Sequence, residues 1–141
     1  MRFGGWGSRA TGLARLLLCL AVPSLAACTR TPPREITELV VQDSTYLDPK
    51  TLLPYSGPVF RNFPGEGGGT QLEAMLRGGA WEGEFTIYHE TGRIRYEGEM
   101  SGGAQCGAWI ENESPVEPES AYEAIKEDLE SLVIYPDCPE G

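Results

Sequence analysis

A chain of 141 residues has room for one domain of ordinary size. Its 21 acidic and 11 basic residues give a net charge of −10, which makes nucleic acid and anionic headgroups poor partners. All of the acidic residues follow residue 27, whereas only 8 basic residues do, so this later part of the chain carries a net charge of −13.

Residues 1–27 have the three-part pattern of a secretory signal. Arg2, Arg9 and Arg15 provide positive charge without any acidic residue, and the apolar run Leu16–Val22 is followed by small residues. That run is shorter than the roughly 20 residues that span a bilayer. We therefore expect residues 1–27 to be a cleaved signal peptide.

The end of this segment, Leu25-Ala26-Ala27-Cys28, resembles the lipobox of bacterial lipoproteins. The resemblance implies cleavage before Cys28, diacylglycerol on its sulfur, and acylation of the new amino terminus by palmitate-like chains. Several acyl chains together give stable anchoring. Because Thr29 rather than an aspartate follows Cys28, the lipoprotein rule favours the outer membrane, with the domain facing the periplasm. The alternative is an ordinary signal peptide with an incidental cysteine.

Two cysteines, Cys106 and Cys138, remain once Cys19 is removed and Cys28 is lipidated. In the oxidising cell envelope such a pair is expected to form a disulfide, which stabilises by roughly 3–4 kcal/mol through loop closure. Two free thiols or a redox pair are the alternatives, although there is no Cys-x-x-Cys motif.

A tether is predicted over residues 28–35, where Thr31-Pro32-Pro33 is a stiff spacer. A β domain is predicted over residues 36–113. Its first strands are expected at Ile36–Val41 and Leu53–Phe60, the second with prolines at its edges.

An internal repeat with a spacing of 24 residues lies in the second half of this domain. Arg77-Gly78-Gly79-Ala80 aligns with Ser101-Gly102-Gly103-Ala104. The same shift aligns Leu72 with Tyr96, Glu73 with Glu97, Leu76 with Met100, Gly83 with Gly107 and Phe85 with Trp109.

Glycine-containing turns at 77–80, 89–92 and 101–104 predict a four-stranded antiparallel meander. In the predicted register, these residues face one another: Leu72 and Phe85, Leu76 and Trp81, Ile87 and Ile94, Phe85 and Tyr96, Tyr96 and Trp109. A row of small residues then forms from Ala74, Gly83, Gly98 and Gly107. The opposite, polar face carries Glu82, Glu84, Tyr88, Arg93, Arg95, Glu97 and Glu99.

Three segments of this meander resemble the MORN-variant repeat: Trp81-Glu82-Gly83, Tyr88-His89-Glu90-Thr91-Gly92 and Tyr96-Glu97-Gly98. The resemblance covers roughly residues 53–110 and extends to the family called YwqK-like antitoxin components, many of which carry lipoprotein signals. It implies a β-hairpin array that binds other molecules, and it raises the alternative of an antitoxin or immunity-type inhibitor of a toxic partner.

A C-terminal helix is predicted over residues 118–135, before a tail at 136–141. Ser120-Ala121-Tyr122-Glu123 fits a capping box. Apolar residues then recur at helical spacing, at Tyr122, Ile125, Leu129, Leu132 and Val133. We expect this stripe to cover the apolar face of the sheet; the alternatives are a partner-binding helix or packing on a second copy.

Four aromatic residues, Trp81, Phe85, Tyr96 and Trp109, are predicted to form a row on the apolar face. Such a row is usually core, and otherwise it is a platform for carbohydrate or peptide.

Four carboxylates on the polar face, Glu82, Glu84, Glu97 and Glu99, could hold Ca²⁺. Neighbouring arginines and water favour a solvated face without metal. His89 is interpreted as a turn residue, and the sequence contains no hydrolase or phosphate-loop motif.

The sequence therefore predicts a mainly β domain of MORN-like hairpins with one C-terminal helix, following a cleaved lipoprotein signal peptide. The predicted function is a membrane-anchored, non-catalytic module for protein or envelope binding, with no cofactor. Its protein partner and its oligomeric state are left open.

Overall fold

The computed structural model describes residues 31–139. Within this range the protein is mainly β, with a largely antiparallel sheet of sequential hairpins and one helix near the C terminus. The strands are β1 (Arg34–Glu35), β2 (Val40–Gln42), β3 (Thr45–Leu47), β4 (Gly57–Asn62), β5 (Thr70–Arg77), β6 (Ala80–Tyr88), β7 (Ile94–Ser101), β8 (Ala104–Glu111) and β9 (Leu132–Ile134), with helix α1 at Ala121–Ser131.

Seven strands form the main sheet in the order β1-β4-β5-β6-β7-β8-β9, and β2 and β3 form a separate hairpin. The predicted four-stranded meander is confirmed as β5 to β8. Two of its turns consist of two glycines, Gly78-Gly79 and Gly102-Gly103, and all four have positive φ, from 57° to 87°. Type I′ hairpin turns need this backbone conformation, which glycine adopts without steric strain.

The predicted register of the meander is wrong by two residues over most of its length. Leu72 pairs with Ile87 rather than Phe85, because a bulge sets Met75 of β5 against three residues of β6 centred on Gly83. The φ of Gly83 is 78°. The predicted row of small residues does not form, since Ala74 pairs with Phe85 instead of Gly83.

A second bulge sets Gly98 of β7 against residues 107–109 of β8, and it begins at Gly107, where φ is 68°. It places Tyr96 opposite Glu111 rather than Trp109. The turn after β6 is one residue longer than predicted, and an irregularity between Ile87 and Tyr88 adds a second residue, so Phe85 pairs with Gly98 and Ile87 with Tyr96. A shift of two residues preserves which face each side chain occupies, because side chains alternate along a strand.

Two segments with the pattern aromatic-x-Gly, Tyr55-Ser56-Gly57 and Trp81-Glu82-Gly83, each bind the glycine turn of a neighbouring hairpin. The carbonyl of Trp81 accepts a hydrogen bond from Gly103 at 2.9 Å, and the carbonyl of Tyr55 accepts one from Gly79 at 2.8 Å. The residue after each aromatic also contributes: the side chains of Glu82 and Ser56 each accept a bond at 2.8 Å, from the amides of Gly102 and Gly78. The earlier segment is thus a structural copy of the later one.

The main core lies at the β4–β5–β6 end of the sheet. Its buried members are Leu39, Tyr55, Val59 and Leu76, and Ile36, Tyr46, Ala74 and Trp81 pack against them. The segment before β4 therefore covers this end. The prediction that the C-terminal helix covers the apolar face is wrong, because Tyr122, Ile125 and Leu129 are 77%, 61% and 71% exposed.

The predicted boundaries differ from the structure at both ends of the domain. The expected strand at Ile36–Val41 is divided into a 3-10 helix (Ile36–Glu38) and β2, while β1 precedes both and pairs with β4 in parallel. The expected strand at Leu53–Phe60 begins only at Gly57. The helix ends at Ser131 instead of residue 135, because Leu132, Val133 and Ile134 pair with β8 as β9.

Candidate functional site

A row of aromatic side chains crosses the apolar face of the sheet. Consecutive ring centroids lie 5.0 Å apart for Tyr46 and Trp81, 5.2 Å for Trp81 and Phe85, 5.9 Å for Phe85 and Trp109, and 6.2 Å for Trp109 and Tyr135. The bulge residues keep Trp81 and Phe85 on the same face, which allows their rings to touch edge to face.

The N-terminal segment covers only one end of this row, since Trp81 packs against the main core. At the other end lies an open groove of about 600 Å³. Its lining includes Phe85, Ile87, Tyr96, Met100, Trp109 and Tyr135. The floor of the groove is Trp109, which is only 2% exposed and donates from Nε1 to the carbonyls of Glu99 and Cys106 at 3.1 and 3.0 Å.

Two tyrosines bring hydroxyl groups to the groove. The hydroxyl of Tyr135 donates to Glu111 at 2.7 Å, and that of Tyr96 donates to Glu113, which also binds Arg95 at 2.7 Å. These hydrogen bonds to carboxylates raise the pKa of both phenols. At neutral pH both phenols are therefore protonated, and each hydroxyl proton is held by a carboxylate.

Three of the four predicted platform residues, Phe85, Tyr96 and Trp109, line this groove. The fourth, Trp81, belongs to the main core instead. Tyr135, which the sequence analysis interpreted only as the end of the helix, is part of the groove because β9 brings it beside Trp109. The sequence signal that could have placed Tyr135 at the sheet is its position as an aromatic residue three residues before Cys138.

The four carboxylates of the polar face do not lie together as a cluster. Glu84 is directly opposite Glu99, but Glu97 is opposite Thr86 and Glu82 binds the amide of Gly102. Among the described residues, three potential metal ligands do lie close together: a carboxylate oxygen of Glu99 and the sulfur atoms of Cys106 and Cys138.

The Sγ atoms of Cys106 and Cys138 are joined in a disulfide, 2.03 Å apart. Cys106 is buried at 5% exposure in β8, whereas Cys138 lies in the tail after β9. The bond therefore fastens the C-terminal tail to the sheet, three residues after the groove residue Tyr135. In this form neither sulfur is a thiolate.

Helix α1 is attached through polar groups. Arg93, which was predicted on the polar face, reaches Glu127 at 2.5 Å and Glu117 at 3.0 Å and donates to the carbonyls of Ser114 and Val116. Asn112, 9% exposed, also donates to Glu127, at 2.5 Å.

His89 lies in the turn after β6, where its ring Nε2 is 2.8 Å from the carbonyl of Asn112. The interpretation of His89 as a turn residue is confirmed in its position, since its carbonyl also accepts from Gly92 at 2.8 Å.

The predicted signal peptide and the lipidation residue Cys28 lie outside the described residues. Over residues 31–139, no helix has both the length and the hydropathy to cross a membrane.

Comparison with known proteins gives no match for this chain among protein-family models, curated proteins or solved structures.

Proposed function

We propose that this protein is a lipoprotein of the cell envelope, anchored through Cys28, whose MORN-like hairpin domain binds an extended segment of another protein without catalysis. The observation that carries the binding role is the open groove in which half-buried Phe85, Tyr96 and Tyr135 surround the buried Trp109. Apolar grooves with a few fixed polar groups are the usual form of ligand sites.

Shape and chemistry both favour a peptide. The groove is floored by rigid rings that offer apolar contact at little conformational cost. The hydroxyl protons of Tyr96 and Tyr135 are donated to Glu113 and Glu111, so the hydroxyl oxygens and these carboxylates supply acceptors for the N–H groups of a peptide backbone along the margin of the groove. The engagement of His89 by a backbone carbonyl supports a structural rather than a catalytic role for that residue.

The position of the groove suits presentation from a membrane. The tether joins the domain at β1, and the groove lies towards the opposite edge of the sheet, where β9 is. The groove spans β6 to β9, which lie three to six strand spacings of about 4.8 Å from β1, so it is roughly 15–30 Å from the point of attachment.

Photo-crosslinking in the native envelope tests the binding role. A benzophenone amino acid replaces Met100, which lines the groove, and in a matched variant it replaces Glu97, exposed on the other face of the same strand. We expect a discrete crosslinked protein from position 100 and none from position 97. Equal adducts at both positions, or none at position 100, would contradict the proposal.

A carbohydrate is the second candidate ligand, because aromatic rings and carboxylates stand together in the groove. If position 100 forms no protein adduct and instead crosslinks to an added soluble glycan, the groove is a sugar site.

A further inference from the structure

Helix α1 is attached in an unusual orientation. Residues three and four apart share a face of a helix, so Ala124, Glu127 and Ser131 form one face and Tyr122, Ile125 and Leu129 another. The first face is the less exposed one: Ser131 is 7% exposed, and Glu127 binds Arg93 and Asn112. The second is 61–77% exposed.

Amphipathic helices of a globular domain normally bury their apolar stripe. Here the polar face is fixed inward by Arg93, whose side chain is 14% exposed and binds two carboxylates and two backbone carbonyls. The apolar stripe is therefore held outward by a specific network. Leu132 and Ile134, 46% and 70% exposed, follow the helix in the edge strand β9.

We propose that the stripe of Tyr122, Ile125 and Leu129 is a second docking surface, and that it binds a cationic amphipathic helix of a partner protein. This surface is separate from the aromatic groove, which none of these three residues lines. The inference therefore extends beyond the proposed function and does not depend on it.

The charges beside the stripe identify the kind of partner. At 100° per residue, Asp128 flanks it on one side, and Lys126 followed by Glu130 and Glu123 lies on the other. Lys126, the one basic residue of α1, is 3.6 Å from Glu130 and is already paired. A partner helix with lysine or arginine beside its apolar stripe would complement these carboxylates, in the helix-in-groove manner of recognition.

The same charges disfavour two other occupants of the stripe, a second copy of this helix and an anionic lipid surface. Two copies of this helix would bring like carboxylates together, on chains that each carry a net charge of −13 after residue 27. A surface of anionic lipids would be repelled in the same way.

Model peptides test the proposal on the full chain in phosphatidylcholine nanodiscs. The probe is a synthetic helix with leucine at i, i+3, i+4 and i+7 and lysine elsewhere. One control peptide replaces each lysine by glutamate, and another replaces each leucine by serine. Binding of each peptide is measured by titration, and the signal from empty nanodiscs is subtracted. A benzophenone amino acid at position 125 then locates the bound peptide. Position 53 is the control for this crosslink, because Leu53 is 64% exposed and lies in a loop.

We expect the leucine–lysine peptide to bind and to crosslink at position 125 but not at position 53. Ile125→Ser with Leu129→Ser should weaken binding at least about tenfold, since two apolar contacts are lost, whereas Leu53→Ser should leave it unchanged. Tyr122→Ser alone should also weaken it, which provides a milder variant if the double one unfolds.

Three results would overturn the proposal. The first is equal binding of the glutamate peptide or the serine peptide. The second is self-association in sedimentation that the double serine variant abolishes, which would identify a second copy as the occupant. The third is binding of the stripe to the nanodisc itself, seen as a crosslink from position 125 to lipid.

Discussion

Gly98 and Trp109 form a contact that leaves no space for a side chain. A Cβ at Gly98 would lie 2.4 Å from ring atoms of Trp109. The ring cannot easily move, because it is 2% exposed and its Nε1 donates to two backbone carbonyls. Gly98 thus allows the floor of the groove to pack directly on the sheet.

Gly98→Ala should therefore lower the free energy of unfolding, by about 1–3 kcal/mol as for other overpacked sites. Urea denaturation of the purified protein measures this. Gly69→Ala is the matched control, since a Cβ there meets nothing within 4 Å, and its stability should change by less than about 0.5 kcal/mol. If the two variants are equally stable, the contact is not tight.

Cys106 and Cys138 are separated by 32 residues. Closing a loop of this size restricts the unfolded chain, and removing both thiols by alanine substitution should destabilise by roughly 3–4 kcal/mol. Denaturation with and without dithiothreitol checks this result: the reductant should destabilise the wild type and leave the double variant unchanged. A wild type insensitive to reductant would count against a stabilising bond.

At the scale of elements, the orientation of α1 depends on the interaction of Arg93 with Glu127. The hydrogen bond from Arg93 lowers the pKa of Glu127 below its ordinary value of 4.5, and Asn112 contributes in the same direction. The carboxylate therefore stabilises the folded state fully above pH 4.5, and this contribution is lost as the pH falls through the lowered pKa of the folded state.

The Glu127→Gln variant should accordingly melt at a lower temperature than the wild type above pH 4.5, and the two melting temperatures should converge as the pH falls through the lowered pKa of Glu127. Thermal melting, monitored by circular dichroism at a series of pH values, gives the melting temperature of each protein. Other carboxylates titrate in the same range, but they are common to both proteins, so the difference isolates Glu127. A difference that does not change with pH would show that the charge of Glu127 is unimportant.

At the scale of the whole molecule, the entry of the chain at β1 and the proposed binding surfaces lie towards opposite edges of one sheet. Arg34 in β1 binds Asp48 at 2.6 Å, and this fixes the point where the chain enters the domain. Six residues link Cys28 to Arg34, which limits the distance from the anchor to this point to about 20 Å. The proposed anchor thus keeps the β1 edge near the membrane and the groove away from it.

Cys28→Ser should abolish anchoring because a hydroxyl does not accept the diacylglycerol, and the protein should move from the membrane fraction to the soluble fraction. Fractionation with mass spectrometry of the N terminus checks both the location and the cleavage. Cys19→Ser is the control and should remain anchored. If wild type and Cys28→Ser are both soluble with residues 1–27 intact, the lipoprotein proposal is wrong.

The local chemistry of this sequence determined much of the fold. Glycine pairs at 78–79 and 102–103 specify tight hairpin turns, and alternation assigns each side chain to a face. Ser120 starts the helix as predicted, with its Oγ accepting from the amide of Glu123 at 3.2 Å. Each of these features depends on interactions within a few residues, which a single sequence displays directly.

Tertiary structure alone decided the register, the end of the helix and its orientation. The bulges at Gly83 and Gly107 shift the pairing by an even number of residues, so the pattern of faces is the same with or without them. Leu132–Ile134 fits a helix by periodicity but becomes β9, because the open edge of β8 supplies backbone partners. The outward stripe of α1 follows from Arg93 and Glu127, 34 residues apart. Such distant pairings depend on the assembled sheet, and no local pattern encodes them.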